Sequence, residues 1–123
     1  MTINAGSFRD PESRVFSLDG RVFRGLSVDA AQVDLLVRES GLLDQLVARG
    51  VIVENWRVEG VAAPTGVPSA TVVESRRLPV VSYPSEWSFP MLRDAALLTL
   101  DANLAALDSG FILKDASAFN VVF

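Results

Sequence analysis

The longest helical pattern in this chain lies near its C-terminal end and most limits how the chain can fold. Ser88 can cap a helix there, Pro90 is tolerated in its first turn, and Gly110 can end it. Because the helix must bury one side, it requires a second layer of secondary structure. The apolar stripe predicted to be buried consists of Leu92, Ala95, Ala96, Leu100, Leu104 and Leu107.

The segments before this helix predict a small sheet and two shorter helices. Asp19-Gly20, between Val15-Phe16 and Val22-Phe23, is a strong signal for a two-residue hairpin turn. Ser27 can cap the first of the two helices. Further strands are predicted within residues 51–59, 71–75 and 78–83 and after Asn120. The two shorter helices are predicted within residues 28–40 and 42–49. Residues 60–70 are predicted to form a loop that could be an insertion. This order predicts an α+β fold rather than alternating βαβ units.

The amino-acid composition limits the possible functions of the chain. The chain has 123 residues, enough for one domain with one core. It contains no histidine and no cysteine, which excludes Ser-His-Asp chemistry, disulfides and the usual zinc sites within the chain. A net charge of −4 argues against nucleic acid as a partner. No apolar run is long enough to cross a membrane and no signal peptide is visible, so we expect a cytoplasmic protein without a membrane partner.

The C-terminal stretch LDSGFILKDASAFNVVF carries the main functional hypothesis. Asp115 and Asn120 are five residues apart, and by themselves they could simply fix a turn. In context the stretch resembles the catalytic loop of protein kinases, where a long helix, a glycine and a short apolar step precede the aspartate. The resemblance implies that Asp115 holds an acceptor hydroxyl, with Lys114 beside it, and that Asn120 binds Mg²⁺. Leu113 stands where kinases usually have histidine.

The same resemblance assigns roles to the rest of the chain. Residues 1–87 would form an N-lobe-like sheet followed by a hinge, and residues 88–123 the start of a C-lobe-like part. ATP could then bind near Arg24, Tyr83, Glu86 and Trp87. Arg24 would substitute for the phosphate-binding lysine, since no lysine precedes Lys114, and no glycine-rich phosphate loop is present. The aromatic residues could instead pack together, and Glu86 could pair with Arg76 or Arg93.

Three further segments, FRDPESRVFSLDGRVFR, RLPVVSYPSEWSFPMLRDAALLTL and GFILKDASAFNVVF, carry a closer resemblance. They resemble the N-terminal region of a bacterial family of class I SAM-dependent methyltransferases, some of which are nodulation-related. In that family a Gly-x-Pro-x-x-Ile-Asp segment and a methyltransferase domain follow. We therefore expect this chain to be a fragment whose partner is its own missing C-terminal domain. S-adenosylmethionine would bind only to that missing domain. The alternative is a natural C-terminal strand at Val121-Val122-Phe123, paired with an earlier strand.

These observations predict a kinase-like accessory or binding region of a methyltransferase-type protein. It would bind a nucleotide or small molecule, or hold the catalytic domain, and would not be catalytically complete by itself. One alternative is a small-molecule phosphotransferase fragment that uses Asp115 and Asn120. The other is a structural or interaction module in which the same two residues fix a turn.

Overall fold

The computed structural model describes residues 1–123 and contains one sheet and three α-helices. The strands pair antiparallel in the order β1-β2-β3-β5-β4. The predicted α+β class is therefore confirmed. In chain order the elements are β1 (Thr2–Ile3), β2 (Ser13–Leu18), β3 (Arg21–Leu26), α1 (Val28–Glu39), α2 (Leu42–Ala48), β4 (Asn55–Val58), β5 (Thr71–Ser75) and α3 (Phe89–Asp108), with short 3-10 helices at Ala5–Ser7, Pro84–Glu86 and Ala118–Asn120.

The chain forms two compact units. The first consists of Met1–Glu39 and Val53–Arg77 and contains the whole sheet with α1. The second consists of Ser40–Ile52 and Leu78–Phe123 and contains α2, α3 and the C-terminal segment. None of the helices has the length and apolar character needed to cross a membrane.

The hairpin of β2 and β3 forms as its turn signal predicts. Asp19 and Gly20 both have positive φ angles, of 50° and 76°. Two consecutive positive φ angles give the turn a twist that matches paired antiparallel strands, which is why Asp-Gly is favoured there. The turn sets the register in which Phe16 lies opposite Phe23.

One face of the sheet carries the core of the first unit. Phe16 and Phe23 are almost completely buried and their rings stack with centroids 5.4 Å apart. Val72 on β5 and Val67 from the loop between β4 and β5 complete this buried cluster. The loop at 60–70 therefore covers part of the sheet, because the core includes its Val67 side chain.

A charged side chain lies on the same face of the sheet. Glu74 is only 7% exposed and receives two hydrogen bonds from the Arg21 guanidinium, at 2.7 and 2.6 Å. The indole of Trp56 donates a third hydrogen bond to this carboxylate, at 3.1 Å. The Arg21 guanidinium also lies over the Phe23 ring, 5.0 Å from its centroid. These partners allow a carboxylate to be buried beside an aromatic core.

The Glu74 cluster predicts a dependence of stability on pH. Hydrogen bonding by Arg21 holds the pKa of Glu74 below its ordinary value of 4.5. A depressed folded-state pKa contributes stability above the unfolded-state pKa, and this contribution is lost as the pH falls through the folded-state pKa. We expect Glu74→Gln to lower the urea midpoint at pH 7 and to flatten the loss of stability below about pH 4.5. Glu59→Gln, an exposed control, should keep the wild-type pH profile. A Glu74→Gln profile parallel to that of the wild type would contradict this account.

Helix α1 is attached to the sheet largely through polar contacts. Ser27 caps it as predicted, because its hydroxyl accepts a hydrogen bond from the Ala30 amide at 3.2 Å. Asp34 binds both Arg38, at 2.9 Å, and Arg57 on β4, at 2.8 Å. No residue of this helix is fully buried.

Helix α3 has the predicted length but buries a different side. Its buried residues are alanines, at positions 95, 102, 105 and 106. Of the predicted stripe only Ala95 is buried, and Leu92, Leu100, Leu104 and Leu107 are 41–60% exposed. The stripe prediction is therefore wrong for these leucines. Helical spacing identifies apolar sides, but it cannot choose between two of them on one helix.

Three predicted strands also differ from the structure. Of residues 51–59 only Asn55–Val58 is a strand. Residues 78–83 do not pair as a strand, and Pro79 lacks the amide hydrogen that strand pairing requires. Residues 121–123 are not a strand either, because they follow a 3-10 helix and Val121 packs against Trp87 and Ala95. Strand β1 was not predicted, since two residues give no periodicity to recognise.

Candidate functional site

The candidate site is the loop that follows α3 in the second unit. It is attached to the helix at both ends. Near its start, the Leu113 amide donates a hydrogen bond to Asn103 Oδ1 on α3, at 3.3 Å. At its end, Val121 is 9% exposed and packs against Ala95 near the start of the same helix. The exposed residues between these two anchors are held in a defined loop.

Asp115 and Asn120 are brought together within this loop. Asp115 Oδ1 accepts a hydrogen bond from the Ser117 amide at 3.0 Å, which closes a tight turn. The Asn120 side-chain nitrogen donates to the Asp115 backbone carbonyl at 3.2 Å. The amide oxygen of Asn120 takes no part in that bond. Both side chains are exposed, so the loop offers a carboxylate and an amide oxygen at one surface.

The hydrogen bonds lower the proton affinity of the aspartate. The Ser117 backbone N–H, and next the Asn120 side chain, hold the pKa of Asp115 below its ordinary value. The carboxylate is thus ionised at neutral pH. A low pKa makes a weak general base, because base catalysis is most effective with a pKa near the working pH. Asp115 is better suited to accept a hydrogen bond from a hydroxyl, or to bind a cation, than to remove a proton completely. Lys114, beside it, is exposed.

The predicted nucleotide-binding residues of the second unit surround the 3-10 helix Pro84–Glu86. The Glu86 carboxylate accepts a hydrogen bond from the Tyr83 amide at 2.7 Å and so closes this turn, while Arg93 pairs with Asp94. Tyr83 is 56% exposed, and its ring is accessible to a ligand.

Trp87 is buried and packs against other side chains of the second unit. It is 8% exposed, and its indole nitrogen donates to Ser82 Oγ at 2.9 Å. Its ring and that of Phe123 are nearly perpendicular, with centroids 4.9 Å apart. This enclosure leaves little of the Trp87 side chain accessible to a ligand. Trp87 instead connects the C-terminal segment to the start of α3.

Arg24 lies in the other unit, on β3. Its guanidinium donates a hydrogen bond to Ser13 Oγ at 3.2 Å, and Ser13 in turn donates to Asp10 at 2.9 Å. Arg24 thus has a partner within the sheet unit.

The residues present fit a Mg²⁺–nucleotide only in part. Magnesium in phosphate sites is bound through one or two protein oxygens together with phosphates and water. The Asp115 carboxylate and the Asn120 amide oxygen are donors of that kind. The chain contains no group of three or more His, Cys, Asp or Glu side chains arranged to hold a metal. Any metal bound here would therefore depend on a ligand or on another segment for most of its oxygens.

Two positioning residues of this loop were missed from the sequence. Ser117 holds the Asp115 carboxylate, and the pattern Asp-x-Ser could have indicated this because aspartate commonly bonds the amide two residues on. Asn103 on α3 accepts a hydrogen bond from the Leu113 amide, which lies beyond the end of the helix. No local pattern predicts a hydrogen bond between residues ten positions apart.

Comparison with known proteins finds a relative for nearly the whole chain. It is similar to a nodulation protein. The aligned region has 120 residues and covers 97% of this chain. Over that region the chain is 38% identical to nodulation protein NoeA of Rhizobium meliloti strain 1021. The chain spans only 25% of that relative's length. The nodulation-related part of the predicted resemblance is thereby confirmed. No protein-family model matches the chain, and no solved structure matches it.

Proposed function

We propose that this chain is a kinase-like accessory region of a larger methyltransferase-type protein, and that it binds a nucleotide or a related phosphorylated small molecule. The observation that carries the proposal is the anchored loop after α3. It presents Asp115 and Asn120 five residues apart and joined by a hydrogen bond. The similarity to a protein four times as long supports a role as one region among several.

Each loop residue has a chemical role in this proposal. Asp115, ionised at neutral pH, accepts a hydrogen bond from a substrate hydroxyl. Asn120 supplies a neutral oxygen that suits Mg²⁺, and Lys114 supplies a positive charge beside the phosphates. The second metal-binding aspartate of a kinase-like site would have to come from a segment outside this chain. We therefore propose binding without complete phosphotransfer, and assign S-adenosylmethionine to such a segment as well.

A structural role is the second candidate, and the loop geometry favours it directly. The bonds from Ser117 to Asp115 and from Asn120 to the Asp115 carbonyl are sufficient to fix the turn without any ligand. In that case both residues would contribute only to the stability of the loop.

Thermal unfolding with and without ATP and MgCl₂ distinguishes the two candidates. If ATP is present at ten times its Kd, binding stabilises the folded chain by about 1.4 kcal/mol. For a chain of this size we expect the wild-type Tm to rise by roughly 5 °C. Asn120→Ala should lose most of the rise, while Phe119→Ala, an exposed neighbour, should keep it.

Two substitutions of Asp115 complete the experiment. Asp115→Asn keeps an oxygen that can accept from Ser117 but removes the charge, whereas Asp115→Ala removes both. The binding proposal expects Asp115→Asn to fold with a near wild-type Tm and to respond less to ATP and Mg²⁺. If the wild type shows no ligand response and only Asp115→Ala lowers Tm, the binding proposal fails and the structural role is supported.

A further inference from the structure

Helix α3 has a second apolar side, which is exposed. Leu97, Leu100, Leu104 and Leu107 are between 50% and 60% exposed. We call these four residues the leucine face. They follow one another at intervals of three, four and three residues. At 100° per residue they fall within about 80° of each other around the helix axis. They therefore form one continuous strip along the last three turns of the helix.

The leucine face lies opposite the side that α3 already buries. Helical geometry puts the centre of the buried alanines about 180° from the centre of the four leucines. The helix is thus apolar on two sides, which is typical of a helix in the interior of a larger protein. A surface helix would instead carry polar residues opposite its buried side.

An acidic row borders the leucine face. Asp94, Asp101 and Asp108 are spaced seven residues apart, so they lie along one edge between the two apolar sides. All three are exposed. An apolar strip with a charged rim is the pattern of a protein-binding surface. The complementary surface would be apolar in the centre and basic along the matching edge.

The length of the relative indicates what covers this strip. The matched region is 25% of nodulation protein NoeA, so three quarters of that protein lies outside it. We propose that the leucine face docks the polypeptide that corresponds to this remaining part, as an internal interface of the longer protein. A second copy of this chain is the less favourable occupant. Each copy carries a net charge of −4, and four half-exposed leucines are a small part of the ~800 Å² per partner that a stable dimer buries.

A chimera tests the proposal independently of nucleotide binding. This chain replaces the matched 120 residues of the relative, and hydrogen exchange of α3 is compared between the chimera and the isolated chain. We expect the amides of 97–107 to exchange at least tenfold more slowly in the chimera. The double substitution Leu100→Glu/Leu104→Glu should remove that protection in the chimera and leave the isolated chain's Tm within about 2 °C of the wild type.

Controls separate docking from general effects. Leu36→Glu, at a leucine of α1 that is 55% exposed, should leave the protection of α3 unchanged. Leu104→Ala serves as a milder variant if the double substitution prevents folding of the chimera. The proposal would be overturned if the α3 amides exchanged equally fast in the chimera and in the isolated chain. It would also be overturned if the chimera aggregated although its leucine face carried no substitution. So would an isolated chain that dimerises in light scattering and becomes monomeric with Leu100→Glu/Leu104→Glu, because the occupant would then be a second copy.

Discussion

Replacing Phe16 with alanine is expected to lower the free energy of unfolding of the sheet unit by about 3–5 kcal/mol. Phe16 has no exposed surface, stacks on Phe23, and lies at the centre of the cluster with Val67 and Val72. Alanine would remove the transfer energy of the ring and leave a cavity that the sheet cannot close, because β2 is held on both sides by other strands. Total stabilities of small domains are about 5–15 kcal/mol, so the loss is large.

Urea unfolding followed by circular dichroism measures this effect. Phe119→Ala is the matched control, since it removes the same side chain where it is 74% exposed, and it should change stability by less than about 0.5 kcal/mol. If Phe16→Ala does not fold, Phe16→Leu should still lower the midpoint measurably. Similar losses from Phe16→Ala and Phe119→Ala would show that the core has been located wrongly.

Gly25→Ala is expected to destabilise the same unit by about 3 kcal/mol, the upper end of the usual cost of overpacking. A Cβ atom added at Gly25 would lie 2.0 Å from the Pro68 carbonyl oxygen and 2.6 Å from Val67 Cγ1. The nearer obstacle is backbone, which cannot rotate away as a side chain can. The loop at 60–70 would have to lift from the sheet and expose Val67, one of the four buried residues of the core cluster.

Gly6→Ala provides the control for this substitution. Gly6 also lacks a positive φ angle, and a Cβ there would meet only the exposed Asn4 side chain, at 3.2 Å. We expect its urea midpoint to stay close to that of the wild type. Adding Val67→Ala to Gly25→Ala should not restore stability, because the clash with the Pro68 oxygen remains. A full rescue by Val67→Ala would contradict this explanation.

The elements specified by local signals could be predicted from the sequence. The Asp19-Gly20 turn and the Ser27 cap act through residues within three positions of each other, so their chemistry can be recognised in the printed chain. The same holds for the bounds of α3, although the Ser88 side chain forms no capping hydrogen bond. The turn around Asp115 is also local, which is why the five-residue spacing to Asn120 could be singled out.

Contacts between distant residues could not be predicted in this way. Arg21 and Glu74 are 53 positions apart, and only the pairing of β3 with β5 brings them together. The role of Gly25 likewise depends on Val67 and Pro68, which lie more than forty residues later in the chain. A periodic pattern contains no information about such partners.

The sequence by itself determined the turns, the helix bounds, the α+β class and the local spacing of Asp115 and Asn120. Only the tertiary structure decided that α3 buries its alanines and exposes its leucines, and that Trp87 is buried and packs against Phe123. Local backbone conformation depends on neighbouring residues, but burial depends on which distant surfaces fit together at close-packed density. Alanines permit a closer approach between elements than leucines do, so the side that fits is not always the more hydrophobic one.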